Sequence, residues 1–407
     1  MRRFLLLAAV LLCVTFAGCA PVESNAENLM QPPKLTEVQA QVDTALREAV
    51  GQEFNLKYPR NGEHRSAFNF LDLDSDGADE AIAFFSTSDN VIQIAMLRQT
   101  NDSWQVFDIL PGQSFCTEID FVRLQQLGSA PLLLVGWGGT GMANNLLAVY
   151  TFDHTIGQQG GLVLGSRWDY SQLAVTDLDQ NGQQELLLLV VADSYNSDSA
   201  QPSAQLVGQT ADKEIDLLTE VPLARNITKF YPPVQGSLTT SLYGAAVDCL
   251  LSNDTLCTVL LSSQNGQLVQ LFAGEGEQSL YRQTLRTQKV FSCDLNDDGV
   301  IDIPTERLAE GYAGTRETPA YLTDYSNLIN DQLLPVQTAY VSLNRGYRLL
   351  FPSRWAGHPI SVLIHPDNNE AIFFLNTSGN LFDHSKELLR IQVYSSLDSQ
   401  DKLAGGR

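Results

Sequence analysis

DLDSDGADE, Asp72 to Glu80, followed at once by the apolar run AIAFF, is the stretch that decides how this chain is read. It recurs as DLDQNGQQE, Asp177 to Glu185, ahead of LLLLVV, and as DLNDDGVID, Asp294 to Asp302, ahead of Ile303. The shared template is Asp, Leu, Asp or Asn, any residue, Asp or Asn, Gly, two residues and an acid. A hard dication such as Ca²⁺ takes about 6–8 oxygen ligands at roughly 2.3–2.6 Å. A short loop provides them from side chains at its first, third and fifth positions, a backbone carbonyl at the seventh and an acid at the ninth. Gly at the sixth allows the sharp turn. The candidate ligands are Asp72, Asp74, Asp76 and Glu80; Asp177, Asp179, Asn181 and Glu185; and Asp294, Asn296, Asp298 and Asp302. The second-position leucines, Leu73, Leu178 and Leu295, are expected to point away from the ion and anchor each loop on a core. Asp, Asn and Gly also gather in ordinary turns, but three copies sharing the ninth-position acid and the Leu favour up to three structural Ca²⁺ sites. An EF-hand would need an acid at the twelfth position, where this chain has Ala83, Leu188 and Thr305.

The loops belong to a longer repeat. FVRLQQLGSAPLLLVGW sets Phe121, Leu124 and Gly128 in the frame of Phe70, Leu73 and Gly77, without the acids. VDCLLSNDTLCTVLL sets Val247 and Leu250 in the frame of Val175 and Leu178, with Asp254 in the Gly place. Five units then begin near residues 77, 128, 182, 254 and 299, the metal loops falling in the first, third and fifth. Within a unit the order is loop, strand, strand, strand: Ala81–Phe85, Val91–Arg98 and Ser103–Leu110 in the first, Leu132–Trp137, Leu146–Phe152 and Leu162–Tyr170 in the second. Units of roughly 45–55 residues with about four strands match a β-propeller blade, and the expectation is about five to seven blades over residues 55–339. A two-sheet sandwich would not need the repeat. Beyond about Tyr340 the repeat is lost, and residues 340–407 read as a small β-rich domain with strands at Ile360–His365, Glu370–Leu375 and Leu388–Tyr394. The expected class is mainly β with one N-terminal helix. That helix runs from Thr36 to Val50 within residues 34–54, with Thr36 and Gln39 as a capping box and Gly51 as its stop.

The N-terminus reads as an export signal, residues 1–18: Arg2 and Arg3, then an apolar run from Phe4 to Phe16 that is short for a membrane span. Ala17-Gly18-Cys19 resembles a bacterial lipobox, which implies acylation of Cys19 and anchoring on the outer face of a membrane, with residues 19–33 as a tether. A net charge of −22 with no compensating basic cluster argues against nucleic acid as a partner. The remaining cysteines, Cys116, Cys249, Cys257 and Cys293, are too few in 407 residues for a disulfide framework; Cys249 and Cys257 are close enough in sequence to pair across one loop, and buried free thiols are the favoured reading.

The loop-plus-strand frame resembles the FG-GAP and VCBS-type repeats of integrin-α-like propellers, whose loops bind Ca²⁺. The layout of lipobox, tether, helix, LKYP segment, repeats and terminal domain is similar to that of VCBS-repeat lipoproteins of Gram-positive bacteria. The resemblance implies surface display and calcium loops, and no particular chemistry. The catalytic signals are weak. The five His residues show no HExxH spacing, no GxSxG elbow is present, and the Gly-rich VGWGGTGMAN leads into a strand rather than a phosphate-binding helix. Two functions are carried forward. One is a binding or scaffold module of the cell envelope, acting on glycan or protein. The other is an extracellular hydrolase with an acidic site on the propeller face. Converging acids in a cleft away from the loops favour the second.

Overall fold

The computed structural model describes residues 35–128, 130–157, 160–193, 201–274, 276, 279–365 and 369–394. The signal, Cys19 and the tether lie outside the described residues. Among those residues no helix is long and apolar enough to cross a membrane.

The N-terminal helix α1, Glu37–Val50, forms as its caps dictate. Thr36 Oγ1 accepts from the Gln39 amide, the Gln39 side chain accepts from the Thr36 amide, and Gly51 closes the far end in the left-handed conformation. Val42 and Leu46 are buried, while Val38 is exposed. The rest of the described chain is six antiparallel sheets in sequence order. The first holds β1 (Asn55–Lys57), β2 (Phe68–Leu71), β3 (Glu80–Ser86), β4 (Ile92–Thr100) and β5 (Ser103–Pro111), with β1 and β2 both pairing β3. The second is β6 (Glu118–Gln126), β7 (Pro131–Gly138), β8 (Asn145–Asp153) and β9 (Gly161–Tyr170), and the third β10 (Gln172–Thr176), β11 (Glu185–Val190), β12 (Ser203–Gln209) and β13 (Ile215–Pro222). The fourth comprises β14 (Ile227–Phe230), β15 (Val234–Thr239), β16 (Leu242–Leu251), β17 (Leu256–Gln264) and β18 (Gln267–Leu271). A short helix α2, Leu280–Gln283, leads to the fifth, β19 (Ile303–Leu308), β20 (Tyr321–Ile329), β21 (Gln332–Ser342) and β22 (Tyr347–Leu350). The sixth is β23 (Ile360–His365), β24 (Glu370–Leu375) and β25 (Glu387–Gln392).

The uninterrupted apolar runs after the loops are explained by burial on both faces. Side chains alternate across a strand, so one run feeds two cores. In β3, Ile82 and Phe84 pack toward the second sheet, whereas Ala81, Ala83 and Phe85 pack under α1. In β11, Leu186 and Leu188 face the second sheet, and Leu187 and Leu189 face the fourth. The same sharing joins the fourth sheet to the fifth and the fifth to the sixth. Among the described residues no core cluster joins the sixth sheet to the first, whose outer face is taken by α1.

Three details differ from the repeat as read in the sequence. The segment VDCLL lies in β16, the second strand of its sheet, and Asn253-Asp254 is the turn from β16 to β17. Pro232-Pro233 falls between β14 and β15, which both pair β16 in place of one first strand. Residue 339, the expected end of the repeats, lies inside β21, and β22 pairs back onto that strand.

Candidate metal centre

The first loop joins β2 to β3 and the second β10 to β11, while the third runs from an isolated bridge of Cys293 with Asp302 into β19, the edge strand of its sheet; all three share one backbone. The fourth positions, Ser75, Gln180 and Asp297, have φ of 62°, 55° and 58°, and the sixth-position glycines 89°, 86° and 81°. A β-carbon is tolerated at the fourth position because these are single turn residues, but the sixth must turn with φ near the edge of the left-handed region, where Gly is least strained.

The same amides hold the same carboxylates. In the first loop Asp72 accepts from the amides of Asp76 and Gly77, both at 3.1 Å. In the second, Asp177 accepts from Asn181 at 2.9 Å and Gly182 at 2.9 Å, and in the third Asp294 accepts from Asp298 at 3.1 Å and Gly299 at 2.8 Å. The ninth-position acids turn back onto the second-position amides: Glu80 from Leu73 at 3.0 Å, Glu185 from Leu178 at 3.2 Å, Asp302 from Leu295 at 2.8 Å. Leu73 and Leu178 are buried as expected, in the cores toward the second and fourth sheets, and Leu295 is half-buried.

Two of the loops bring three carboxylates to a point. One oxygen each of Asp72, Asp74 and Glu80 lies within 4.8 Å of the others, and so does one each of Asp177, Asp179 and Glu185. The donors are all oxygens, the chemistry a hard cation takes. Such triads have the geometry to hold a metal ion. The third loop has Asn296 at its third position, and the Asn296 side-chain amide donates to Asp298 at 2.9 Å. Asp76 and Asn181 sit at the exposed lip of their loops, where Asp76 Oδ1 and Asn181 Oδ1 each accept from the amide two residues on.

The ninth-position acids are the buried ones, with Glu80, Glu185 and Asp302 all at most 4 % exposed. Burial raises the pKa of each. Glu185 is pushed up to about 7, chiefly by desolvation and then by the charges of Asp179 and Asp177, against the opposing Leu178 amide. Among the described residues no ion pair relieves it. Glu80 is relieved: the Arg98 guanidinium reaches Glu80 Oε1 at 2.8 Å and Asp74 Oδ2 at 2.5 Å. Arg98 was not singled out from the sequence. Folding the β3–β4 hairpin about Ser88–Asn90 would have set it opposite Glu80.

A second feature is a cavity of about 700 Å³ lined in part by Asn61, His64, Asp120, Arg123, Asn145 and Tyr170. Asp120 accepts from Asn61 Nδ2 at 2.6 Å, Asn145 Nδ2 at 3.1 Å and the Tyr170 hydroxyl at 2.6 Å. No motif marks these residues, because they come from four separate segments. Of the tryptophans, Trp137 and Trp355 are core residues, and Trp104 packs edge-on against Phe70. The Gly-rich segment after Trp137 is the connection from β7 to β8. Cys116, Cys249 and Cys257 are buried free thiols, and Cys293 is a half-buried one.

No protein-family model matches the chain, and no curated protein matches it. The chain matches 101 chains of solved structures, among them one of the Photorhabdus luminescens Tc holotoxin pore carrying the mutation TccC3-D651A. That match is 11 % identical with a TM-score of 0.24, over 80 % of this chain and 14 % of the other. The chain thus spans about a seventh of the length of that relative, and a likeness of this size decides nothing about fold or function.

Proposed function

We propose that the protein is a calcium-stabilised module of FG-GAP/VCBS-type blades, arranged as an integrin-α-like β-propeller, that binds or spaces glycan or protein in the cell envelope. In this reading Cys19 is acylated and holds the chain on the outer face of the membrane. The observation that carries the reading is the repetition of one loop backbone at three places, the first two each tied to an apolar strand shared by two cores. An ion there closes a loop whose leucine plugs a seam between sheets, which is a stapling role. One active site would not need three similar loops.

Ca²⁺ is favoured over a transition metal by the all-oxygen donors, and over Mg²⁺ by an irregular set of carboxylates with a backbone carbonyl rather than a tight octahedron. Asp72, Asp74, Asp76 and Glu80 would hold one ion, Asp177, Asp179, Asn181 and Glu185 a second, and Asp294, Asn296, Asp298 and Asp302 a third. Binding over hydrolysis is supported by the cavity beside β6. Its Asp120 is engaged by three donors, whereas an acid–base pair needs free carboxyl groups at a set separation. The exposed Arg123 and half-buried His64 leave donors for a polar ligand there.

Thermal melts test the metal reading. An ion that binds only the folded state at a hundred times its Kd adds about 2.7 kcal/mol. Calcium is expected to raise the melting temperature, chelator to lower it, and Asp177→Ala to shrink the difference. A melt that ignores calcium, chelator and Asp177→Ala alike would reduce the loops to turns.

A further inference from the structure

The three loops differ at the one place where the next strand meets them. The registers pair Ala81 with Leu97, Leu186 with Val207 and Ile303 with Ser326. One residue further along each hairpin, Glu80, Glu185 and Asp302 stand opposite Arg98, Gly208 and Asn327. At Gly208 there is no side chain, and a β-carbon would stand 3.1 Å from Glu185 Cγ and 2.9 Å from Leu218 Cδ1. Asn327 offers a neutral amide, donating to Asp302 Oδ1 at 2.8 Å. Arg98 offers a full positive charge, on the ninth- and third-position carboxylates at once.

Arg98 is also held from behind. Its guanidinium carbon lies 5.0 Å from the ring centroid of Phe107 on β5 and 5.8 Å from that of Phe152 on β8, in the next sheet. A guanidinium forked onto two carboxylates and set against two rings is preorganised and stays charged across the working pH range. The fifth position compensates: Asp76 in the first loop corresponds to Asn181 in the second, so the additional base accompanies an additional acid.

We propose that Arg98 is the resident cation of the first loop, doing there what a metal ion does in the second. The first loop is thus closed by the chain's own charge and binds metal weakly, while the second, facing Gly208, is the principal metal site. This rests on the metal reading given above for the second loop, and deepens it by making the loops unequal. A metal entering the first loop must displace two charge-assisted hydrogen bonds and leave the guanidinium, only 23 % exposed, without its carboxylates.

The test is calorimetric titration of the purified chain with CaCl₂, repeated for Arg98→Gln, Arg98→Lys, Asp76→Asn and Glu185→Gln. Wild type is expected to lose a binding equivalent on Glu185→Gln and none on Asp76→Asn. Arg98→Gln is expected to gain one equivalent, or to tighten the first loop at least about tenfold, the scale set by freeing two carboxylate ligands. Arg98→Lys, a point charge without the fork, should fall between. If Asp76→Asn removes an equivalent from wild type, or if a folded Arg98→Gln titrates like wild type, the assignment of Arg98 is overturned. If wild type binds no calcium but Arg98→Gln binds one equivalent, Arg98 keeps its role and the metal reading of the other loops fails.

Discussion

Glu185→Gln separates what the second loop costs from what it binds. Glu185 is 4 % exposed, has no ion-pair partner among the described residues, and its pKa stands at about 7 against an ordinary 4.5. The folded-state pKa is raised above the unfolded one, so in the absence of metal the folded protein holds this proton longer than the unfolded chain does. Stability is therefore fully present below about pH 4.5 and falls as pH rises through the interval up to about 7, levelling off above it. A full shift of that size corresponds to about 3 kcal/mol at 1.36 kcal/mol per unit. The loop's open lip screens part of it, so we expect about 1–2 kcal/mol. Gln keeps an oxygen for the Leu178 amide and removes the charge. Urea unfolding in chelator at pH 8 should thus show Glu185→Gln more stable than wild type by that amount, with the gap closing toward pH 4.5. On the calcium reading proposed above, saturating calcium should reverse the order, because the variant has one ligand fewer to offer. A variant less stable than wild type in chelator at pH 8, or a gap that does not change with pH, would refute the account of Glu185 as a buried, uncompensated acid.

Two further outcomes follow from parts of the fold away from the loops. Asp248 and Arg286 form a buried pair at 2.6 Å, their side chains 4 % and 1 % exposed, with Thr258 and Ser292 completing the carboxylate and the Val290 and Thr284 carbonyls the guanidinium. Asp248→Asn should cost about 3–5 kcal/mol by leaving Arg286 uncompensated, and pairing it with Arg286→Met should recover much of that loss in a double-mutant cycle. Thr36→Ala removes the capping oxygen of α1 and should lower stability by about 1 kcal/mol, read as earlier amide exchange in residues 37–50 than in wild type.

Legibility in the sequence followed how local each determinant is. The helix was readable because both ends are marked by residues within one turn, Thr36 with Gln39 and Gly51. The strands of the first two sheets were readable because their turns are short and their apolar runs long. The carboxylate triads were readable because nine consecutive residues make each one. What was missed needed long-range register. The fourth sheet was read one strand out of phase, since VDCLL and an authentic first strand are both apolar runs, and the Pro232-Pro233 break disguised β14 and β15. Arg98 sits 18 residues from Glu80, and only the hairpin register makes them neighbours. Asp120 gathers donors from as far as 59 residues away, a convergence that leaves no trace in spacing.

The placement of α1 has a consequence for anyone who trims this chain. An apolar sheet face needs a cover that water accepts on its outer side. On the first sheet that cover is a single helix, carrying Glu37, Gln41, Thr44, Arg47 and Glu48 to solvent while Val42 and Leu46 cover Ala81, Ala83, Phe85, Ala95 and Leu97. A fragment begun at residue 55 would uncover that apolar sheet face and present it for self-association, whereas one begun at residue 35 keeps its cap and should remain monodisperse.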